Sequence, residues 1–278
     1  MTERVSPAEQ RRSEAVIPAV RSTDLEQHAA ELRARVPEGF TVVVSPPFVV
    51  VGDEPPSEVR RRAEHTVAWA VRHLKASYFD RDPDTIQDVW LFRDSTSYQH
   101  HTVWLTGAEP HTPYGFASEQ HGLIMDISTG GGTLVHEIVH PYMRTNFPGV
   151  PAWFNEGLAS LYEQCGEREG RIVGFTNWRL AGLQAAIRRG TLPSFRRLLS
   201  TTEREFYDAD PGTNYAQARY LYLYLQEQEL LRRYYRSFLA GHHADPTGLA
   251  TLQEVLGVDD MADFQEDWES WVLTLRFP

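Results

Sequence analysis

The sequence predicts an α+β protein: a small N-terminal α/β lobe with a mixed sheet, then a mainly helical C-terminal lobe. Three observations carry this. The β-branched segment Phe40–Val51 (FTVVVSPPFVVV) and the apolar segment Asp88–Phe92 (DVWLF) read as strands with a helical stretch between them. The character changes after Gly130-Gly131-Gly132, and from there the apolar residues recur almost entirely at helical spacing. No internal repeat or low-complexity tract interrupts the pattern. We divide the chain into an N-terminal extension with a short helix (1–39), an α/β lobe that includes the long helix after the glycines (40–146) and a helical lobe (147–278).

Taken in order, residues 1 to about 22 are polar and expected to be a loosely ordered extension. Thr23 with Glu26 reads as a capping box that opens a helix to about Arg35. Pro37-Glu38-Gly39 stops it. Within 40–51, Pro46-Pro47 breaks the run, which predicts an interrupted strand or a hairpin at a sheet edge. Val59, Ala63, Val67, Ala70, Val71 and Leu74 define one amphipathic helix from Ser57 to about Phe79. Asp88–Phe92 is a buried strand. Tyr114–Ile127 is a hairpin turning near Glu119–Gly122, with Leu123-Ile124-Met125 as its apolar arm. Helices are expected at about 133–146, 152–164, 178–190, 214–227, 229–240, 246–256 and 260–275.

Composition removes several classes of function. A net charge of −11 over 278 residues argues against a nucleic-acid binder, which needs a basic surface to neutralise phosphates. Arg60, Arg61 and Arg62 read instead as a solvated helix face. Cys165 is the only cysteine, so the sequence offers no disulfide framework and no Cys-based metal site. Any metal must be held by His, Asp or Glu. The first residues (MTERVSPAEQRRSEAV) contain no apolar signal core, and no stretch is long enough to span a bilayer. The chain as given is therefore expected to be soluble and cytoplasmic, with no membrane span.

The chemistry-bearing segment is LVHEIVH, starting at Leu134. On a helix, residues four apart stack on one face with Cβ atoms about 5–6 Å apart. His136 and His140 can then both reach one zinc ion at about 2.0–2.1 Å. Glu137 lies about 100° round from His136 and about 60° from His140, flanking the ion as a general base would. Leu134, Val135, Ile138, Val139, Tyr142 and Met143 fill the remaining arc, so the helix should be buried with one polar corner. Two His and a Glu buried without partners would be costly, and a cation satisfies all three. Pro141 removes a hydrogen bond to the Glu137 carbonyl, and either kinks the helix or ends it early.

The pattern alone also occurs by chance in a small share of chains with this many His, and a lone buried His is more often a satisfied core residue than a ligand. A second segment, Pro151-Ala-Trp-Phe-Asn-Glu-Gly-Leu-Ala-Ser160, adds to it. A catalytic zinc site has three protein ligands and one open position. Glu156 sits on the next expected helix, with 15 residues separating it from His140, a length that suits a turn through Asn146–Pro151 and a return alongside. Gly157 leaves room for close helix approach.

WFNEGLA resembles the W-L-N-E-G-F-A segment of the membrane-alanyl-aminopeptidase group and is similar to the Asn-Glu ligand helix of thermolysin. Together with HEIVH it resembles the gluzincins over about Gly131–Tyr162. That resemblance implies a zincin-like fold and one zinc ion per chain, held by His136, His140 and Glu156. It also implies Glu137 as the catalytic carboxylate in hydrolysis of a peptide or protein substrate by metal-activated water. Three departures accompany it. The His140–Glu156 gap is shorter than in either group, Ser160 stands where thermolysin-like enzymes carry an Asp partner to a ligand His, and no Gly-x-Met-Glu-Asn segment for a substrate amine is found. The choice between endopeptidase and exopeptidase stays open.

Two further roles follow from the resemblance. Tyr215 is the candidate oxyanion donor, by its distance after the Glu ligand; its alternative is packing among Tyr220, Tyr222 and Tyr224. His111 and Tyr114 are weaker candidates for the same role. The strand before the zinc helix, Gly122–Ile127, would be an edge that pairs with extended substrate, although its apolar run also suits plain core packing. His100, His101, His242 and His243 occur as adjacent pairs that do not share a helix face, so surface positions are expected. Three other readings compete: an inactive gluzincin-like scaffold acting as a binding domain, a zinc hydrolase of a non-peptide bond, and a helical domain in which HEIVH is accidental.

Overall fold

The computed structural model describes residues 20–209 and 211–278; the expected extension over residues 1–19 lies outside them. The architecture is α+β, with a mixed five-stranded sheet in the N-terminal half and helices dominating the C-terminal half.

Helix α1 (Ser22–Arg35) begins two residues earlier than the Thr23 box implied. Asp24, not Glu26, turns back to accept the Arg21 backbone N–H at 3.1 Å, so Arg21 takes the N-cap position. The Pro46-Pro47 break resolves as a hairpin: the peptide between the two prolines is cis and joins β1 (Thr41–Ser45) to β2 (Phe48–Gly52). The amphipathic run that follows is one helical rod in three parts. They are α2 (Pro56–Arg62), a π-helical stretch (Ala63–Ala68) and α3 (Trp69–Ser77). It crosses over to β3 (Gln87–Phe92), parallel to β2. A second crossover contains α4 (Ser95–Thr106) and leads into the hairpin of β4 (Gly115–Ser118) and β5 (Gly122–Asp126). The strand order is β1-β2-β3-β5-β4.

That order corrects one expectation. The strand before the glycine-rich loop, β5, is not an edge; it is parallel to β3 on one side and antiparallel to β4 on the other. The edge is β4. All five residues of β5 are buried, as the core-packing alternative required.

Side chains alternate between the two faces of the central strands. Phe48, Val50, Val89, Leu91, Leu123 and Met125 join the main core, whereas Val49, Val51, Trp90, Phe92 and Ile124 meet Leu25, Ala29 and Leu32 of α1. Both faces are covered, which is why these strands read as continuous apolar runs. The main face is covered by α5 (Gly132–Asn146) through Leu134, Ile138, Val139 and Tyr142. Pro141 does not end this helix, which continues to Asn146.

Beyond α6 (Ala152–Leu161) the chain is not continuously helical. A hairpin of β6 (Cys165–Arg168) and β7 (Arg171–Gly174) intervenes, so the expected 152–164 helix stops at Leu161. Its two-residue turn is Glu169-Gly170, with φ of 53° and 74°, the left-handed pair that a tight hairpin requires. Helix α7 (Arg179–Arg189) follows, then the short α8 (Phe195–Leu199) and α9 (Glu203–Asp208), neither of them expected. The remaining helices α10 (Pro211–Glu227), α11 (Leu231–Gly241), α12 (Leu249–Leu256) and α13 (Met261–Thr274) match the predicted segments to within a few residues. Among the described residues, no helix is long and apolar enough to cross a membrane.

Candidate metal centre

Two glycines bring the site's elements together. A Cβ at position 132 would lie 1.8 Å from the Glu163 carbonyl oxygen, so only Gly132 lets the first turn of α5 abut the chain that leaves α6. A Cβ at position 157 would lie 2.7 Å from the Tyr222 ring. The close approach foreseen for Gly157 is therefore to α10. Helix α6 is anchored by Trp153 and Phe154, both fully buried; Phe154 packs on Phe238 with ring centroids 5.0 Å apart. With that face fixed in the core, Asn155 and Glu156 meet the imidazoles of α5.

His136 and His140 lie one helical turn apart, edge to face, with ring centroids at 4.9 Å. The Nε2 of His136 lies 3.2 Å from Oε2 of Glu156, and that of His140 lies 3.9 Å from the same oxygen. One ligand atom from each of the three residues lies within 4.8 Å of the others, so the set could hold a metal ion. Oε2 of Glu156 is buried and has no hydrogen-bond partner, an arrangement that is costly unless positive charge sits beside it. Among the described residues no other His, Cys, Asp or Glu grouping of this kind occurs.

The surrounding groups hold these three side chains in place. Asn155 Oδ1 is 3.1 Å from Nδ1 of His140. The amide oxygen accepts the Nδ1 proton, which leaves the Nε2 lone pair free on the side of Glu156. Nδ1 of His136 faces Oε1 of Glu163 at 3.5 Å, longer than a full hydrogen bond. Glu163 is itself fixed by Arg179, whose Nε and guanidinium NH2 donate at 2.8 and 2.7 Å, and by Asn177 at 2.9 Å. A carboxylate, Glu163, thus faces His136, although Nδ1 of that imidazole has no hydrogen-bond partner. Tyr207 donates its hydroxyl to Oε1 of Glu156 at 2.7 Å.

Burial pulls the His136 pKa down, but Glu156 and Glu163 outweigh it and raise the value to about 10. Burial likewise opposes ionisation of Glu156, yet His140 and His136 bring it down to about 2. Glu163 reaches about 2 against the same penalty, through Arg179 and then His136. The cluster favours positive charge at its centre. A pH prediction follows for chelator-treated protein. The raised His136 contributes stability that is fully present below its ordinary pKa of 6.5 and is lost as pH rises through about 10. The thermal midpoint should fall across that alkaline window, and the slope should vanish in His136→Ala. The two depressed carboxylates act in the opposite direction, contributing above 4.5 and losing their effect as pH falls towards about 2. A flat alkaline profile would show that His136 holds no such proton.

A cavity of about 510 Å³ opens on the centre, its wall including His136, Glu137, Arg179, Trp178, Tyr215 and Gly115 of the β4 edge. Oε2 of Glu137 is 4.0 Å from Nε2 of His140. Tyr215 lines the cavity with its ring beneath the Arg179 guanidinium at 5.0 Å. It packs on Phe206 (5.1 Å) and Tyr207 (6.4 Å), not among Tyr220, Tyr222 and Tyr224 as the alternative had it. Tyr220 and Tyr222 are committed to Asn177 and to the Phe154 carbonyl. Tyr114 is exposed on the cavity wall, whereas His111 leans on Phe116 at 4.5 Å outside it.

The adjacent His pairs take no part. His100 and His243 are exposed, but His101 stacks on Phe92 at 5.6 Å and His242 packs on Phe147 at 5.2 Å, so each pair has one half-buried member. Arg60 and Arg61 lie on the solvated face as expected, while Arg62 is half-buried and bound to Glu54.

Sequence reasoning missed Glu163, Arg179 and Tyr207. Glu163 follows Glu156 by two helical turns, a spacing that could have drawn attention; Tyr207 carried no signal. A scan of protein-family models finds no family that matches the chain, and a search of curated proteins finds no matching relative.

Proposed function

We propose that the chain is a zinc metallopeptidase of the gluzincin type. The observation that supports this best is the buried, unpartnered Oε2 of Glu156 facing two imidazole Nε2 atoms, with a second carboxylate, Glu137, lining the adjacent cavity beside His136. His136, His140 and Glu156 would hold the ion. The chemistry zinc supplies in such a site is Lewis acidity, which acidifies water and polarises a carbonyl.

The protein's own groups account for the rest of the reaction. Glu137 accepts a proton from the attacking water and delivers it to the leaving amine nitrogen. Asn155 holds the His140 imidazole in one tautomer and orientation, and Glu163 faces Nδ1 of His136. Tyr215 donates its hydroxyl to the oxygen that gains charge as the carbonyl is attacked. Its pKa is raised by burial and by Glu156, which keeps the donor proton in place. The edge strand β4 offers backbone groups to an extended substrate, in place of the interior β5.

Incubation with mixed peptides, read by mass spectrometry, tests the reading: cleavage should depend on zinc and disappear with chelator. Zinc binding without cleavage of any peptide would favour the inactive scaffold, and turnover of another ester or amide would favour a non-peptide hydrolase. Tyr215→Phe should lower kcat by about 10²–10³-fold, the usual effect of removing one oxyanion donor. KM should change little, because the interaction strengthens only in the transition state. A normal rate with a lowered thermal midpoint would reduce Tyr215 to a packing residue.

A further inference from the structure

Helix α9 is only six residues long, yet it is held at both ends. At its start Glu205 N–H donates to Thr202 Oγ1 at 3.2 Å and Thr202 N–H donates to Glu205 Oε2 at 2.9 Å. Arg197 adds an ion pair to Glu205 at 2.7 Å. At its end the Asn214 side-chain amide donates to the carbonyls of Phe206 (3.0 Å) and Ala209 (2.9 Å). Phe206, fully buried, anchors the helix to the core. The helix thereby acts as a fixed bracket for its neighbour, Tyr207.

Tyr207 uses its hydroxyl on one partner. It donates to Oε1 of Glu156 at 2.7 Å, while Oε2 of the same carboxylate stays without a hydrogen bond and faces both imidazoles. A carboxylate can offer a cation one oxygen or both, and rotation about its last bond exchanges them. A donor fixed on Oε1 opposes that rotation and occupies the oxygen that would otherwise join in.

We propose that Tyr207 is a positioning residue of the metal centre, fixing Glu156 so that the single oxygen Oε2 is presented to a bound cation. This rests on the reading that Glu156 is a metal ligand. Partners of this kind orient ligating carboxylates, and their loss costs metal affinity even though they never touch the ion.

The test is Tyr207→Phe, which keeps the ring that packs on Phe206 at 5.5 Å and removes only the hydroxyl. Zinc affinity is measured by competition with a chromophoric chelator, and the coordination by the visible spectrum of the cobalt-loaded protein. The variant should bind zinc about 10–100-fold more weakly than wild type. Its cobalt spectrum should change as Glu156 gains freedom, and the thermal midpoint of metal-free protein should fall only modestly, by the loss of one hydrogen bond to Glu156. Wild-type affinity together with a wild-type cobalt spectrum in Tyr207→Phe would overturn the proposal while leaving the metal centre intact. Weakened binding with an unchanged cobalt spectrum and a clearly lowered metal-free midpoint would also overturn it, by making Tyr207 a packing residue. Failure of the wild type to bind zinc would remove the reading beneath it.

Discussion

Glu137→Gln is expected to bind zinc like the wild type and to lose peptide turnover by about 10²–10⁴-fold, the usual contribution of a positioned general base. Glu137 follows His136 directly on α5, and its Oε2 lies 4.0 Å from Nε2 of His140 while remaining on the cavity wall. It is outside the set of three whose ligand atoms converge. The amide keeps the size and hydrogen-bonding capacity of the carboxylate but cannot take a proton from water. Metal content and kcat measured on one preparation check the two halves together. Retained turnover would remove Glu137 from the chemistry, and parallel loss of metal would make it a ligand.

His136→Ala should have the largest effect on the centre itself. One of three ligands disappears, so the loss of zinc affinity should exceed the roughly 100-fold expected for an outer partner. The fold should suffer as well. The His136 ring lies between Oε2 of Glu156 and Oε1 of Glu163, at 3.2 and 3.5 Å, and all three groups are buried. Its removal leaves the buried Glu156 without that cation, while Glu163 keeps Arg179. Breaking a buried ion pair in this way costs about 3–5 kcal/mol. Calorimetry of metal-free wild type and variant at neutral pH measures that loss. An unchanged midpoint would mean that His136 contributes nothing to the electrostatics of the fold.

What the sequence made legible was what local periodicity encodes. HEIVH and WFNEGLA each lie on one helix, so the spacing of His136 and His140, and the place of Glu156 on the following helix, could be read directly. The central strands were legible because both faces are buried and their runs are continuously apolar. The order of those strands was not. Whether β5 or β4 forms the edge depends on how the Gly115–Asp126 hairpin docks on β3, and nothing in its own pattern records that. Cys165–Gly174 escaped notice because its arms are four residues long and its turn, Glu169-Gly170, is flanked by Arg168 and Arg171, so the segment reads as a polar loop. The groups that hold the ligands were the least legible. Tyr207 meets Glu156 across 51 residues and Arg179 meets Glu163 across 16, contacts made by packing and not by spacing. Tyr215 was singled out by its distance after Glu156, but its neighbours, Arg179 and Phe206, became known only from the fold.

The central claim is that His136, His140 and Glu156 form one metal site. Elemental analysis of the protein after gentle purification and zinc re-addition, run beside Glu156→Gln, tests it most directly. The account predicts about one zinc per chain in the wild type, and a marked fall in the variant with its fold intact. A wild type that holds no transition metal, or a Glu156→Gln protein that binds zinc as tightly as wild type, would contradict it.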